Sequence, residues 1–388
     1  MARKINRRFW FNLHGWFSLP VWVVFAFVCI TGTISVLSHE ITWLTNSDAR
    51  ATNPQQEAVK PMGDIIAAVQ DAYPSADVSW VMTREPYLTY AVNFTDVGKP
   101  SATAYVNQYT GEVQEVFQGF TFIGFMRALH GWLLFPWHHN FSVGYYLVSA
   151  MAFVMLGALV TGLVVYKKFW RAFFKPQLRV NKGVRIFLQD AHRFSGVWSM
   201  WFLLLMSLTG LWYLVQAILW HNHVEIEPHA PVLSNDVVPG YQASAPNFSV
   251  DVDTAIDLAK QEFADFSPTF VMLPEHSRGT YKLAGSGDYV FFDNYSYQLS
   301  VNPWQPQVEA SMQPSNMNAL QTLVHIADPL HYGTIGGLWT KIIWFIFGLI
   351  LSGMSIAGFF IWRLRLVALK KEKANKNTEQ TIHAQEVN

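Results

Sequence analysis

The residues in this 388-residue chain best equipped for chemistry are its histidines, thirteen in number. Four of them stand in related settings: Leu13-His14-Gly15-Trp16, Leu129-His130-Gly131-Trp132, Ala191-His192-Arg193-Phe194 and Leu330-His331-Tyr332-Gly333. Each precedes or enters a long apolar run. Neutral imidazole is a good axial ligand for haem iron, and helical bundles hold cofactors with side chains from facing helices. Four histidines at corresponding points of four helices therefore suit b-type haem held without a covalent bond. Two ligands per iron favour electron transfer, whereas one leaves an open position. A lone histidine at a helix end is more often an interfacial polar anchor than a ligand. It is the fourfold recurrence that favours ligation.

Membrane helices are the elements that must position these side chains. Hydrophobic residues make up 51% of the chain and charged ones only 14%, which argues against a purely soluble protein. No Asp, Glu, Lys or Arg occurs between Arg8 and Glu40, Arg127 and Lys167, Arg193 and Glu225, or Lys341 and Arg363. Each gap covers the roughly 20 residues of a spanning helix. Spans are expected near 14–39, 141–166, 194–220 and 339–362. The basic start, Arg3-Lys4-Arg7-Arg8, fits a signal peptide, but the apolar stretch is too long and no small-residue cleavage site precedes Glu40, so the first helix is expected to be permanent. Lys and Arg crowd the N-terminus, the 167–185 connection (Lys167, Lys168, Arg171, Lys175, Arg179, Lys182, Arg185) and the tail after Arg363. Both termini are thus expected in the cytoplasm and both long connections outside. Cys29 is the only cysteine, which excludes an internal disulfide, a Cys-x-x-Cys-His haem attachment, an Fe–S cluster and a Cys-rich zinc site.

The chain is internally duplicated. With His14 aligned on His192, Arg7 meets Arg185, Phe9 meets Phe187, and Thr31-Gly32 meets Thr209-Gly210. With His130 aligned on His331, allowing five extra residues around Pro136–Asn140, Gly162 meets Gly358 and Lys167 meets Arg363. Both halves run the same way, as expected of parallel repeats about an axis along the membrane normal. The external segments repeat too. In the first, Met62, Ile65, Ile66 and Val69 have helical spacing, and strand-like runs follow at 78–82, 87–94 and 103–106, closing with Asn107 to Val113 and its turn glycine, Gly111. In the second, Ala255, Leu258, Ala259 and Phe263 mark the helix, with strands expected near 269–273, 280–284, 289–293 and 297–302 and then Pro303-Trp304-Gln305-Pro306. Each is expected to be a separate small α+β unit. The tail after Lys370 is polar and expected to be disordered. The resulting division is 1–44 (N-terminus and first span), 45–127 (first external unit), 128–168 (second span), 169–190 (basic loop), 191–221 (third span), 222–324 (second external unit), 325–366 (fourth span) and 367–388 (tail).

Leu13-His14-Gly15-Trp16, Ser38-His39-Glu40-Ile41, the sheet ending from Asn107 to Val113, and Asp328-Pro329-Leu330-His331-Tyr332-Gly333 with Gly336-Gly337-Leu338 resemble the PepSY-associated transmembrane family of bacterial inner-membrane proteins. The resemblance runs to about residue 368. Within that family the chain is most similar to haem-containing ferric-siderophore reductases of iron uptake. The resemblance implies an α-helical inner-membrane protein of four spans with two periplasmic PepSY-like α+β domains, two b-type haems, and reduction of a ferric siderophore on the periplasmic side. The second external unit departs from the pattern at Pro303–Pro306.

The expected topology sorts the ligands by depth. His14 and His192 are symmetry mates at the cytoplasmic ends and suit one haem; His130 and His331 are mates at the outer ends and suit a second. His39 and His221 compete for the outer haem. On continuous helices His14 and His39 share a face, as do His192 and His221, but their separations of roughly 37 and 43 Å rule out a shared haem. The family resemblance favours His39, leaving His14, His39, His130, His192 and His331 as the candidate ligands. His325 is a weaker candidate, and His138-His139 fit a surface loop. No dinucleotide fingerprint, Walker loop, Ser-His-Asp or His-Glu-x-x-His pattern is present, so electrons are expected from a membrane quinol or a cytoplasmic reductase. Membrane lipid is an expected partner and nucleic acid is not. Two other functions compete: a regulator whose external units bind a peptide or protease, and a siderophore or metal permease. The uninterrupted helices without midplane charge argue against the permease.

Overall fold

The computed structural model describes residues 6–83, 85–166, 169–175, 177–238 and 247–386. Arg3, Lys4, Lys167 and Lys168, part of the basic clustering, lie outside these residues. In chain order the elements begin with α1 (Arg7–Ser18), α2 (Trp22–Val36), α3 (Ser38–Thr45) and α4 (Met62–Ala72). The strands β1 (Asp77–Met82), β2 (Tyr90–Asp96), β3 (Lys99–Val106) and β4 (Val113–Phe117) come next. Then follow α5 (Phe122–Trp132), α6 (Val143–Val165), α7 (Phe169–Phe174), α8 (Val184–Trp198), α9 (Met200–His221) and α10 (Val252–Glu262). The chain closes with β5 (Ser267–Met272), β6 (Tyr281–Ser286), β7 (Tyr297–Val301), β8 (Val308–Met312), α11 (Ala319–Tyr332) and α12 (Gly337–Glu386). Two compact units result: a helical one from 1–35, 128–218 and 342–388, and a sheet one from 36–127 and 219–341.

Among the described residues of the chain, α6, α9 and the 337–378 part of α12 are long and apolar enough to cross a membrane, and α1 with α2 adds a fourth if that bent pair is one span. The first span is therefore not the continuous helix expected over 14–39. It bends by 65° between α1 and α2, where Pro20 removes a backbone donor and its ring blocks the preceding turn. The repeat breaks again at the equivalent place, Ser199, which separates α8 from α9. With these breaks His14 and His39 do not lie on one continuous helix, nor do His192 and His221, so neither pair shares a helix face. Small residues bring the helices together. A Cβ on Gly210 would lie 2.9 Å from that of Ala152, and one on Gly348 would lie 2.6 Å from Thr33 Oγ1. The tail is also helical rather than disordered, α12 continuing to Glu386. Its Ala, Leu, Lys and Glu are strong helix formers, and Lys376 pairs with Glu372 one turn back at 3.0 Å.

In the sheet unit the two external repeats are not separate. They merge into one antiparallel sheet of order β4-β3-β2-β1-β5-β6-β7-β8. The join is symmetric: Val81 faces Val271, its own counterpart in the repeat, flanked by Trp80–Met272 and Met82–Phe270. Pairing β1 with β5 satisfies two edges that would otherwise expose unpaired backbone groups. α4 and α10 cover one face. Met62, Ile65, Ile66 and Val69 of α4 and Val252, Ala255, Ile256 and Ala259 of α10 meet Val92, Phe94, Leu283 and Tyr297 in a common core. Asp253 of α10 also accepts hydrogen bonds from the Met62 and Gly63 amides at 2.7 and 3.0 Å, stabilising the N-terminus of α4.

The departure at Pro303–Pro306 leaves the turn intact. Asn302 Oδ1 accepts from the Trp304 and Gln305 amides, as Asn107 Oδ1 does from Tyr109 and Thr110. Each turn leads into a fourth strand, β4 or β8, that the sequence pattern did not reveal. Residues 289–293 are not a strand. They belong to the β6–β7 connection, with Tyr289, Val290 and Phe291 exposed. Their alternation has no neighbouring strand to pair with.

Candidate functional site

Within the helical unit His14 and His192 come together, their ring centroids 6.2 Å apart and the rings nearly perpendicular. His14 Nδ1 lies 3.0 Å from Thr161 Oγ1 on α6. The Thr161 hydroxyl donates to the Gly157 and Ala158 carbonyls at 2.6 and 3.2 Å, so towards His14 it accepts and Nδ1 carries the hydrogen. His192 Nδ1 lies 3.1 Å from the Met354 carbonyl on α12. A carbonyl only accepts, so the tautomer is the same. In both rings the Nε2 lone pair remains, with no hydrogen-bond partner among the described residues. Metal-bound histidines are held in this way, with one nitrogen pinned and the other presented. Two imidazoles sharing one metal through bonds of about 2.0 Å would have centroids roughly 6.3 Å apart, close to the separation found.

The two seats are repeats of one another. Ala158 and Met354 are equivalent positions, and each is followed four residues later by a glycine, Gly162 or Gly358. A Cβ on these glycines would stand 3.5 Å from His14 Cε1 and 3.6 Å from His192 Cε1. The glycines thus form the floor on which each ring lies.

His130, in the last turn of α5, occupies a third seat of the same kind in the same unit. Its Nδ1 is 3.1 Å from the Val28 carbonyl and 3.4 Å from Thr31 Oγ1 on α2. Thr31 donates to the Phe27 and Val28 carbonyls. Gly32 lies directly under the ring, where a Cβ would come within 2.6 Å of Cε1. Thr31 and Thr161 are thus seat residues that the histidine pattern did not identify. Their signal was legible as a Thr-Gly pair recurring in the apolar runs at Thr31-Gly32, Thr161-Gly162 and Thr209-Gly210, with Ala357-Gly358 in the fourth.

His39 and His331 belong to the sheet unit. His39, on α3, has Nδ1 3.7 Å from Glu85 Oε1 and makes no hydrogen bond through that atom. His39 thus lacks the carbonyl or hydroxyl acceptor that holds the other rings, and has a carboxylate at ion-pair distance instead. Glu85 belongs to a network that sequence reading missed. Lys341, only 4% exposed, bridges Glu85 at 2.7 Å and Glu40 at 3.0 Å, and Tyr87 donates to Glu40 at 2.9 Å. His39 and the Lys341 ammonium hold the Glu85 carboxyl at about 2, against the effect of its burial. His331 sits in the last turn of α11 beside the Tyr332 ring, 5.8 Å away between centroids, just before the left-handed cap at Gly333.

His325 is excluded as a ligand because both ring nitrogens face carboxylates. Nδ1 is 2.8 Å from Asp293 and Nε2 is 3.0 Å from Glu227. Burial works against its charge, but the two carboxylates outweigh burial and push its pKa up to about 9. His221 ends α9, and His138 and His139 lie exposed in the loop between α5 and α6.

The chain matches the PepSY-associated TM region over residues 11–365 and belongs to that family. Comparison with curated proteins gives no match. Family and apolar helices together make it a multi-pass membrane protein carrying an antiparallel sheet region.

Proposed function

We propose that the protein is a haem-dependent reductase of the bacterial inner membrane that delivers electrons to a ferric siderophore outside, releasing iron as Fe(II). The observation that carries this is the His14–His192 pair, with both Nδ1 atoms pinned, both Nε2 atoms without a hydrogen-bond partner among the described residues, and ring centroids 6.2 Å apart. Bound b-type haem would supply one-electron redox chemistry at that pair. The chain's own residues do the rest. His14 and His192 provide the ligand atoms, Thr161 and the Met354 carbonyl fix their orientation, and Gly162 and Gly358 leave room for the rings. For a second haem the candidate ligands are His130, whose seat repeats this design, with His39 and His331. The resemblance supplies the siderophore. Siderophores hold Fe(III) far more tightly than Fe(II), so one electron weakens the complex without any proton-transferring residue.

The proposed topology has four spans, both termini in the cytoplasm, and the two repeats of the sheet as two periplasmic PepSY-like halves. Electrons come from a membrane quinol or a cytoplasmic reductase. The test is a dithionite-reduced minus oxidised visible spectrum of the purified protein, with haem and protein quantified together. About two b-type haems per chain are expected, with one lost in His14→Ala or His192→Ala, followed by reduction of an added ferric siderophore. Absence of haem after expression with ample haem supply sinks this function and favours a peptide-binding role for the sheet unit.

A further inference from the structure

The fully buried face of α11 is small, with Val324, Ile326 and Leu330 half-buried beside it. Of its fourteen residues only His325, Ala327 and Pro329 are buried. Alanine and proline define a helix's register poorly, since neither has a long side chain to interlock with neighbours. The most deeply buried residue of α11 is His325, which is 2% exposed and held on both sides.

Pro329 has no amide hydrogen, so the carbonyl four residues back, that of His325, is released from the helix. That carbonyl accepts a hydrogen bond from the Asp293 amide at 2.9 Å. The same Asp293 reaches back with its carboxylate to His325 Nδ1 at 2.8 Å. The β6–β7 connection therefore grips one residue of α11 through both backbone and side chain. On the other side of the ring Nε2 is 3.0 Å from Glu227. Glu227 is itself oriented by Gln298 of β7 at 2.9 Å, and Asp293 by the Tyr295 amide at 2.9 Å. The clamp ties α11 to the chain entering the second repeat, the β6–β7 connection and the sheet.

The first repeat manages without it. The shift that carries His130 to His331 puts Gly124 opposite His325 and Ala128 opposite Pro329. α5 thus has neither the buried ring nor the proline. Buried ion groups are expensive to desolvate, and apolar residues in their place are often as stable. A scaffold that forms one of its copies with glycine at this position does not require a buried ionic triad in the other.

We infer that His325 is a positioning residue, clamped by Asp293 and Glu227 at the carbonyl freed by Pro329, and that this clamp sets the placement of α11 and so of His331. The second half of the inference rests on the proposed role of His331 as a haem ligand. The first half stands without it.

The experiment is hydrogen exchange on the full chain in lipid nanodiscs, comparing wild type with His325→Gln and, independently, Glu227→Gln. Loss of the charge-assisted hydrogen bond to Asp293 in His325→Gln, or of the buried ion pair in Glu227→Gln, should speed amide exchange in α11 and at Asp293 at least about tenfold, with α5 unchanged. Unaltered α11 exchange in both variants overturns the clamp. The same samples are then mixed with apomyoglobin as haem acceptor. The haem component abolished by His331→Ala should leave about tenfold faster in His325→Gln, while the component abolished by His192→Ala leaves at the wild-type rate. Equal acceleration of both components refutes a specific role in positioning His331. A wild type with no His331-dependent haem removes the ligand role of His331 while leaving the clamp to be judged on exchange.

Discussion

Gly32 and Gly162 hold matching places beneath His130 and His14, yet the structure predicts opposite responses to the same substitution. In Gly32→Ala the new Cβ would lie 2.6 Å from His130 Cε1 and 3.0 Å from Nδ1. The ring must recede by about 0.8 Å to reach ordinary contact. Its hydrogen bond to the Val28 carbonyl, already 3.1 Å long, does not survive that displacement. Overpacking costs about 1–3 kcal/mol and the lost hydrogen bond about 1 more, so equilibria that depend on His130 should weaken by roughly 30- to 800-fold. In Gly162→Ala the Cβ would stand 3.5 Å from His14 Cε1, an ordinary contact with no required movement. The helix-forming advantage of alanine, up to about 1 kcal/mol, is common to both and cancels. The assay is haem stoichiometry with the rate of haem transfer to apomyoglobin, alongside a thermal unfolding midpoint. Gly32→Ala should lose or rapidly release the haem component that His130→Ala abolishes, and Gly162→Ala should retain the full complement. Equal damage by the two substitutions, or none by Gly32→Ala, would refute the seat geometry.

Thr161→Val removes the acceptor that fixes the His14 tautomer, and should weaken retention of the His14-dependent haem about tenfold, with Thr161→Ser restoring it; the same transfer assay reads both. His325 titrates at about 9 between Asp293 and Glu227, above its ordinary 6.5. Its contribution, about 3 kcal/mol, is fully present below pH 6.5 and lost as pH rises through 9. Denaturant unfolding followed across that range should show stability falling with pH, and His325→Gln should flatten the slope. Lys341→Met leaves Glu40 and Glu85 without their cation. Because Glu85 is about a third exposed, the expected loss is about 2–3 kcal/mol rather than the full cost of a buried pair. Lys341→Met combined with Glu85→Gln should recover part of it in the same unfolding assay.

Periodicity and the repeat were legible because they depend only on residue order. Charge-free runs marked the apolar helices, and α6 falls at Val143–Val165 where a span near 141–166 was expected. The i, i+3, i+4, i+7 spacing of Met62, Ile65, Ile66 and Val69 marked α4. The match of His14 with His192 singled out the pair whose rings meet at 6.2 Å. Pro20 marks the bend in the sequence, but the unbroken apolar run on either side of it reads as one helix. Strands β4 and β8 escaped notice because an edge strand needs only one partner and shows weak alternation.

Sequence by itself determined which segments are apolar, where the chain repeats, and which histidines recur at equivalent positions. All of these follow from local order and comparison of one half with the other. Only the tertiary structure decided that β1 pairs with β5 to fuse the two repeats, that carbonyls of Val28 and Met354 and the hydroxyl of Thr161 pin the rings, that Lys341 joins Glu40 to Glu85, and that Asp293 fills the bond Pro329 leaves open. Each of those contacts links residues distant in the chain. Their energy depends on distance and direction in three dimensions, which no spacing along one dimension encodes.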